Sequence, residues 1–467
     1  MLMLVENMHL FSISLQIGYS APVEFGIRKD LGLSVAEFAV FVSIWSVGGL
    51  AGAAVSGWIT DIIGRKRVRL SLFGCYFLSF YHFFYSHLLI FGFFLFEQTM
   101  LVIDVFYITG WLVIAFAKGA WQLDLGRLLL GLGESINSYL SPIYVAEIAP
   151  KYIRGGAFSV TQLTVIFGIA LTFVIGSIIN WRMLAIIGAI PGVAQLIVAF
   201  FIPESPRWLA KIGRVDEFKT TLQRLRGKKA DISEEAKEIK ESIDVFNYIS
   251  NDGILDLFQR KYARSLTIGI GLMIFEQICG LSAYTLYTGS IFVSAGISTT
   301  VGFGTVAVFE IVVTLMTMML VDKSGRRLLL MVAWAGLTFG SFLTGLSYFL
   351  KDIHWFKDFT PKLALIGVMV FLGSYSLGSS IPWIIISEIF PINIKGSAGS
   401  ICNVTFSVCS LICSYSFQFM LDWSSTGTFF IFAVVSSFGI LFLATLVPET
   451  KGRTLEEINA LMTDSFQ

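Results

Sequence analysis

Asp61-Ile62-Ile63-Gly64-Arg65 returns later in the chain as Asp322-Lys323-Ser324-Gly325-Arg326. Glu147-Ile148-Ala149-Pro150, followed by Arg154-Gly155, returns as Glu388-Ile389-Phe390-Pro391, followed by Lys395-Gly396. Pro203-Glu204-Ser205-Pro206-Arg207 has its echo in Pro448-Glu449-Thr450-Lys451-Gly452-Arg453. The three phrases keep their order, and each time they punctuate long apolar runs. A duplicated hydrophobic unit with short charged loops at matching places implies a carrier built from two related halves, with its ligand held between them near the bilayer midplane.

Composition points the same way. Hydrophobic residues make up 55% of the 467 and charged residues only 14%, against roughly 25% charged in soluble domains. A soluble multidomain protein is excluded. Net charge is +1, so nothing marks nucleic acid as a partner. No nucleophile, base and orienting group share a recognisable spacing, so the chain does not read as an enzyme, and no cofactor is implied. The five cysteines, Cys75, Cys279, Cys402, Cys409 and Cys413, sit in apolar runs without paired metal spacing and read as small buried hydrophobes.

Apolar runs long enough to cross a bilayer as helices fall at roughly 8–26, 38–60, 100–117, 122–146, 156–180, 183–202, 265–293, 299–321, 328–350, 363–387, 397–421 and 427–447. The expected fold is therefore an all-α membrane protein with twelve transmembrane helices in two pseudosymmetric six-helix halves, 1–202 and 265–447. Between them, 203–264 holds thirteen Lys/Arg against eleven Asp/Glu. Segments such as Glu234-Glu235-Ala236-Lys237-Glu238-Ile239-Lys240 place opposite charges at i, i+3 and i+4, as solvated helices do, so this linker is expected to form a small helical cap. Residues 448–467 make a tail. Basic clusters follow helices 2, 4, 6, 8, 10 and 12, which puts them, the linker and both termini in the cytoplasm.

Residues 68–98 do not fit. They contain nine Phe and almost no charge and would pass for a thirteenth span. Asp61 to Glu147 is 86 positions, whereas Asp322 to Glu388 is 66, so the first half carries an insertion. One more crossing would put Lys151, Arg154 and the linker on the wrong side. Val68-Arg69 can be encoded by GTA-AGA and Gln98 by CAG, the usual edges of an intron, and thymine-rich intron sequence translates into Phe-rich peptide. The segment reads as a retained intron or gene-model artefact, with a re-entrant or peripheral hairpin as the alternative.

The duplicated charges mark the loops that leave neighbouring helices. One reading is a topology signal plus solvated ion pairs of roughly 0 to 1 kcal/mol. The other, favoured by the intact duplication, is a gate whose charge pairs tie the cytoplasmic helix ends together in one access state and part in the other. Its members would be Asp61, Arg65, Glu147 and Arg154 with Asp322, Arg326, Glu388 and Lys395, joined by Arg127, Glu204, Arg207 and Glu449. Gly64 and Gly325 are expected to permit the turns.

Gly126-Arg127, Pro142-Ile143-Tyr144-Val145-Ala146-Glu147, Pro203-Glu204-Ser205-Pro206-Arg207, Pro382-Trp383 and Pro448-Glu449-Thr450-Lys451-Gly452-Arg453 resemble the sugar porter family of the major facilitator superfamily. Lys29-Asp30-Leu31-Gly32-Leu33-Ser34, Ser205-Pro206-Arg207-Trp208-Leu209-Ala210-Lys211 and Leu222-Gln223-Arg224-Leu225-Arg226-Gly227 look, more narrowly, like the plant early-responsive-to-dehydration sugar transporters. The resemblance implies the major facilitator fold and a monosaccharide, a hexose, moved by alternating access through a monomer in the lipid bilayer. It implies that Gln162 on helix 5 and Gln277 on helix 7 hydrogen-bond sugar hydroxyls, that Ser282 lines the same path, and that Trp383 packs against the sugar ring. An amide offers donors and an acceptor to vicinal hydroxyls. A lone Gln in a membrane helix also serves as interhelical glue.

Three departures stand out. Glu276 occupies the first place of an expected Gln-Gln pair, Glu310 stands where helix 8 usually has an amide, and Phe406-Ser407 replaces Asn-Trp in helix 11. An intramembrane carboxyl is costly and by default functional, so the two acids read either as proton-sensitive groups or as lesions. Proton-driven sugar porters carry an Asp after Gly-Tyr in helix 1; here Gly18-Tyr19 precedes Ser20, which favours facilitated diffusion. Asp104 and Asp124 are expected toward helix ends. The alternatives are a proton-coupled sugar or polyol transporter, or a transport-inactive sugar sensor. The resemblance points to the vacuolar membrane, with the plasma membrane as the alternative.

Overall fold

The computed structural model describes residues 2–64, 95–148, 154–199, 206–211, 214–227, 232–237, 239, 257, 259, 262–320, 325–390 and 394–449. A backbone surrounded by lipid has to satisfy its own N–H and C=O groups, which leaves helices as the solution for a sequence of apolar runs. The first half consists of α1 (Leu2–Leu31), α2 (Val35–Gly64), α3 (Leu95–Ala115), α4 (Ala120–Ile148), α5 (Arg154–Gly176) and α6 (Trp181–Ala199). Two short linker helices follow, α7 (Pro206–Lys211) and α8 (Val215–Arg226). The second half contains α9 (Ala263–Ile278), α10 (Leu281–Ala295), α11 (Thr299–Leu320), α12 (Arg326–Asp352), α13 (Thr360–Gly378), α14 (Ile381–Ile389), α15 (Lys395–Trp423) and α16 (Ser425–Leu446).

Two of the expected spans are broken. The seventh divides into α9 and α10 at Gly280, whose φ of +102° is open to glycine and strained for other residues. The tenth divides into α13 and α14 at Ser379-Ser380, just ahead of Pro382, which lacks the N–H that would continue the ladder. Counting each broken pair once gives twelve spans. Among the described residues, eight segments are long and apolar enough to cross a membrane. Neither α1, with Gln16, Ser20 and Glu24, nor α4, with Asp124, Arg127 and Glu134, is one of them.

The duplication seen in the sequence is a duplication of packing. Helix α2 lies on α4 as α11 lies on α13; α3 lies on α4 and α6 as α12 lies on α13 and α16; α1 lies on α5 and α6 as α9 lies on α15 and α16. Between the halves α2 meets α15 and α5 meets α11, and stepping each helix forward by six spans turns one contact into the other. Small residues at matching crossings make this close packing feasible. A Cβ on Gly110 would come 2.9 Å from the Gly126 carbonyl, and one on Gly340 would come 2.9 Å from the Gly367 carbonyl.

Part of the linker is described. Leu209, Phe218, Leu222 and Ile239 form a separate small core, and Arg226 grips Glu235 with Nε and Nη2, at 2.8 and 2.6 Å. At the start of α2, Ser34 and Glu37 form a reciprocal cap: Ser34 N–H donates to Glu37 Oε2 at 2.8 Å and Glu37 N–H to Ser34 Oγ at 3.2 Å. Residues 65–94, most of the anomalous segment, lie outside the described residues, and 95–98 belong to the first turn of α3.

Candidate functional site

The two helix breaks bring polar side chains together between the halves. From the first half, Gln162 on α5 donates from Nε2 to Ser379 Oγ at the α13/α14 break, 2.8 Å away. At the α9/α10 break, Ser282 donates to Gln277 Oε1 at 2.7 Å. A hydroxyl has one proton, so Ser282 then accepts from Ser410 of α15 at 2.9 Å, and Ser410 in turn accepts from Ser46 of α2 at 3.4 Å. The result is a directed chain, Ser46 to Ser410 to Ser282 to Gln277, that crosses from one half to the other and fixes which way the Gln277 amide faces. Gln162 thus makes a direct inter-half contact, and Gln277 and Ser282 are linked to the first half through Ser410 and Ser46. Ser46, Ser379 and Ser410 were missed, because serines are common in apolar helices and nothing in their spacing sets these three apart.

Trp383 on α14, four residues past Ser379, meets Phe406 of α15 edge to face, ring centres 5.7 Å apart. Phe406 therefore supplies apolar wall where the resemblance led us to expect an amide. Glu276 on α9 and Glu310 on α11 are each 4% exposed. Each has a carboxylate oxygen, Oε2, without a hydrogen-bond partner, and Tyr375 of α13 lies within electrostatic reach of both.

Arg127 is not with the charged helix ends where it was expected. It sits two turns into α4, is 2% exposed, and points at α1. Its Nη1 donates to the Gln16 carbonyl at 3.0 Å and its Nη2 to Ser20 Oγ. The guanidinium also lies over the rings of Tyr19 and Phe41, 5.3 and 4.8 Å from their centres. The physical reason is position: seven residues from the α4 start, the side chain reaches α1 and not the loops. Its electrostatic partner is Glu134 on its own helix, an acid the sequence reading passed over inside an apolar run. Asp104 also differs from expectation. It is fully buried within α3, next to Gln195 of α6.

At the linker end of the second half, Arg326 pairs with Glu388 at 3.1 Å. Glu449 accepts from the backbone N–H groups of Arg326 and Arg327 at 3.0 and 3.1 Å, a carboxylate on a helix N-terminus. Gly325 has an ordinary φ of −66°. Its glycine serves not a turn but this approach, since a Cβ there would sit 2.6 Å from Glu449 Oε2. Arg65, Glu204 and Asp322, and the side chains of Asp61, Glu147, Arg154, Arg207 and Lys395, lie outside the described residues.

At the opposite end the halves meet through α1 and α10, a contact the sequence did not announce. Ser290 donates to Glu24 Oε2 at 2.5 Å, and Glu24, fully buried, is 3.5 Å from Arg28. A Cβ on Gly289 would come within 2.3 Å of the Ala21 carbonyl, so the two backbones touch.

Comparison with known proteins places this geometry. The profile described as "Sugar (and other) transporter" matches residues 93–462. The Arabidopsis thaliana sugar transporter ERD6-like 15 is 45% identical over 466 residues, covering 99% of this chain and 91% of that protein. Sugar transporter ERD6 of the same plant is 43% identical over 452 residues, covering 97% and 85%. Among solved structures, the inward-open xylose transporter XylE from E. coli superposes with a TM-score of 0.75 at 21% identity, covering 98% of each chain. The proton:xylose symporter XylE bound to 6-bromo-6-deoxy-D-glucose gives 0.73 at 22% identity, covering 98% of this chain and 99% of that one. These likenesses show the major facilitator fold. By its profile match and its relatives, the chain belongs to the sugar (and other) transporter family.

Proposed function

We propose that this chain carries a monosaccharide, a hexose, across a membrane by alternating access and facilitated diffusion. The observation that carries the reading is the inter-half polar chain ending on Gln277, together with the Gln162–Ser379 bond. Amides and hydroxyls contributed by both halves, beside the Trp383 indole, are what a sugar needs: hydrogen bonds for its hydroxyls and an aromatic face for its C–H side. Because each half supplies part of the site, rocking one half on the other exposes it to alternate sides.

Facilitated diffusion is supported by Arg127. Its contacts on α1 are a carbonyl and a serine hydroxyl, groups that do not exchange a proton in the useful range. We assign the gate to the charged phrases at the linker end, with Arg326–Glu388 and the Glu449 cap as its described members. The bias of basic residues toward these loops supports a cytoplasmic side for that end and both termini, and the resemblance favours the vacuolar membrane and a monomer. Counterflow of labelled D-glucose into proteoliposomes tests the reading. Accumulation of label against preloaded sugar is expected; binding of glucose without counterflow would assign the chain to the sensors instead.

A further inference from the structure

Spans five and six leave a cleft on the outside of the first half. Helices α5 and α6 both lie along α1 but scarcely touch each other, and between them sits a cavity of about 130 Å³. Its lining includes Leu15 and Tyr19 of α1, Trp111 of α3, Thr172 of α5, and Leu184 and Ile187 of α6. The rim is turned to lipid: Ile190, which also lines the cavity, is 58% exposed, and Phe167, stacked on the lining Phe11, is exposed as well. Leu184 and Ile187 lie within the first two turns of α6, roughly 5 to 9 Å from its start at 1.5 Å per residue, inside an apolar span and at the depth of lipid chains.

The cavity offers water too little. The Thr172 hydroxyl already donates to the Gly168 carbonyl at 2.8 Å, and the Tyr19 hydroxyl to the Trp181 carbonyl at 2.9 Å. The Trp111 indole N–H, without a partner among the described residues, is one donor where a buried water needs two to four polar partners. An apolar void of this size stays dry and takes an apolar guest.

The second half shows what fills such a space. Counting back from the duplicated Pro203-Glu204 and Pro448-Glu449, Leu184 and Ile187 fall at the places of Phe429 and Phe432 on α16. Both of those rings are buried and pack on Tyr284 of span seven, with centres 5.4 and 6.5 Å from it. The first half has a tyrosine in its span one, Tyr19, but aliphatic side chains where the two phenylalanines would be. Smaller side chains leave the lining without part of its dispersion contacts, and at this rim the molecules within reach are lipids. A flexible chain end enters about 130 Å³, whereas a fused-ring nucleus does not.

We propose that the cleft between α5 and α6 is a lipid site, in which the acyl chain of a bilayer phospholipid takes the place that Phe429 and Phe432 hold in the second half. The chain end rests on Tyr19 and Trp111, whose rings meet edge to face 5.0 Å apart, and braces α1 against α5 and α6.

The test uses the full chain in detergent, with phosphatidylcholine as the probe. The lipid is expected to raise the thermal unfolding midpoint of the unmodified chain, and native mass spectrometry is expected to find phospholipid retained after washing with detergent. Ile187→Phe, which copies the second half, should have a higher midpoint without lipid, gain at most about half as much from its addition, and lose the retained molecule. Ile187→Ala works in the opposite direction and decides the matter if the phenylalanine variant misfolds: its midpoint should be lower without lipid and its gain larger. Val434→Phe, on the exposed face of α16, controls for added surface and should behave as the unmodified chain does. An equal lipid-dependent gain in all four chains overturns the proposal, as does a retained phospholipid that survives Ile187→Phe. So does a gain with cholesterol and none with phosphatidylcholine, which would assign the cleft to a sterol.

Discussion

Arg127 shows how one neighbouring residue sets what a buried charge can do. Its guanidinium is held by two neutral oxygens of α1 and two ring faces. A carboxylate at position 20 would instead form a charge-assisted bond, worth roughly 1.5 to 3 kcal/mol when ionised and forfeited when protonated. Ser20→Asp should therefore tie sugar movement to a proton. Addition of sugar to liposomes holding a pH-sensitive dye is expected to acidify their interior with the variant and to leave it unchanged with the unmodified chain. A signal from the unmodified chain would end the facilitated-diffusion reading. Gln162 allows a simpler measurement. Its amide spans the halves to Ser379, so Gln162→Ala removes both the bond and a hydroxyl partner, and sugar affinity in equilibrium binding is expected to fall about tenfold, ~1.4 kcal/mol. Gln162 and Gln277 were named because the resemblance to the sugar porters gave each a matching position. Glu24 and Glu134 had no such match and were absorbed into the runs at 8–26 and 122–146, whose mean character hid single charges. The serines were not legible at all. What makes Ser410 part of the site is its place on α15 opposite the α9/α10 break, and a three-dimensional juxtaposition leaves no mark on local spacing.

Among the elements, the spans were readable and their breaks were not. Twelve apolar runs became twelve spans because lipid admits few other solutions, whereas the interruption at Gly280 looked like any other glycine in a glycine-rich chain. Only Pro382 hinted at the second break. The charged phrases were read correctly as duplicated, but Gly325 acts by admitting the Glu449 carboxylate to the α12 N-terminus, a role invisible without the partner. Arg326 then holds Glu388 across to α14. If this cluster is a gate, Arg326→Ala should slow exchange while leaving equilibrium sugar affinity within about twofold, since the cluster lies away from the Gln277 chain. Parallel loss of affinity and exchange would point to misfolding and away from a gate. The anomalous segment 68–98 is the other element at issue. The family match begins only at residue 93, and the duplicated phrases are unequally spaced on its account. Removing 68–98 joins Arg67 to Thr99 and restores a short connection into α3. The shortened chain is expected to insert and exchange sugar, and the full chain to insert poorly. Transcripts sequenced across the junction should mostly lack these codons; abundant messages that all keep them, with equal transport by both forms, would refute the retained-intron reading.

For the whole molecule, the pseudosymmetric packing turns a static contact into a statement about access. The α2–α15 and α5–α11 contacts exchange under the operation that relates the halves, which suits them to be the hinge of the rocking motion proposed above. In the structure it is the end away from the linker where α1 touches α10, through the Glu24–Ser290 bond and the backbone contact of Gly289 with Ala21. That contact is possible because residue 289 has no side chain. An indole placed there cannot be accommodated against a carbonyl oxygen, which is backbone and cannot move aside as a side chain would. Gly289→Trp should therefore force α1 and α10 apart and hold the molecule open at that end. The polar chain at Gln277 lies in another part of the bundle, so binding should survive while cycling stops. Equilibrium titration with sugar is expected to give an affinity within about threefold of the unmodified protein, and counterflow to fall at least tenfold. Cysteine-accessibility labelling at the two ends supplies the direct check. A reporter thiol near the α1–α10 end should react faster in the variant, and one near the linker should react more slowly. Faster reaction at both ends would mean that the halves had simply loosened, and the α1–α10 contact would then be packing and not the closure that alternates with the gate.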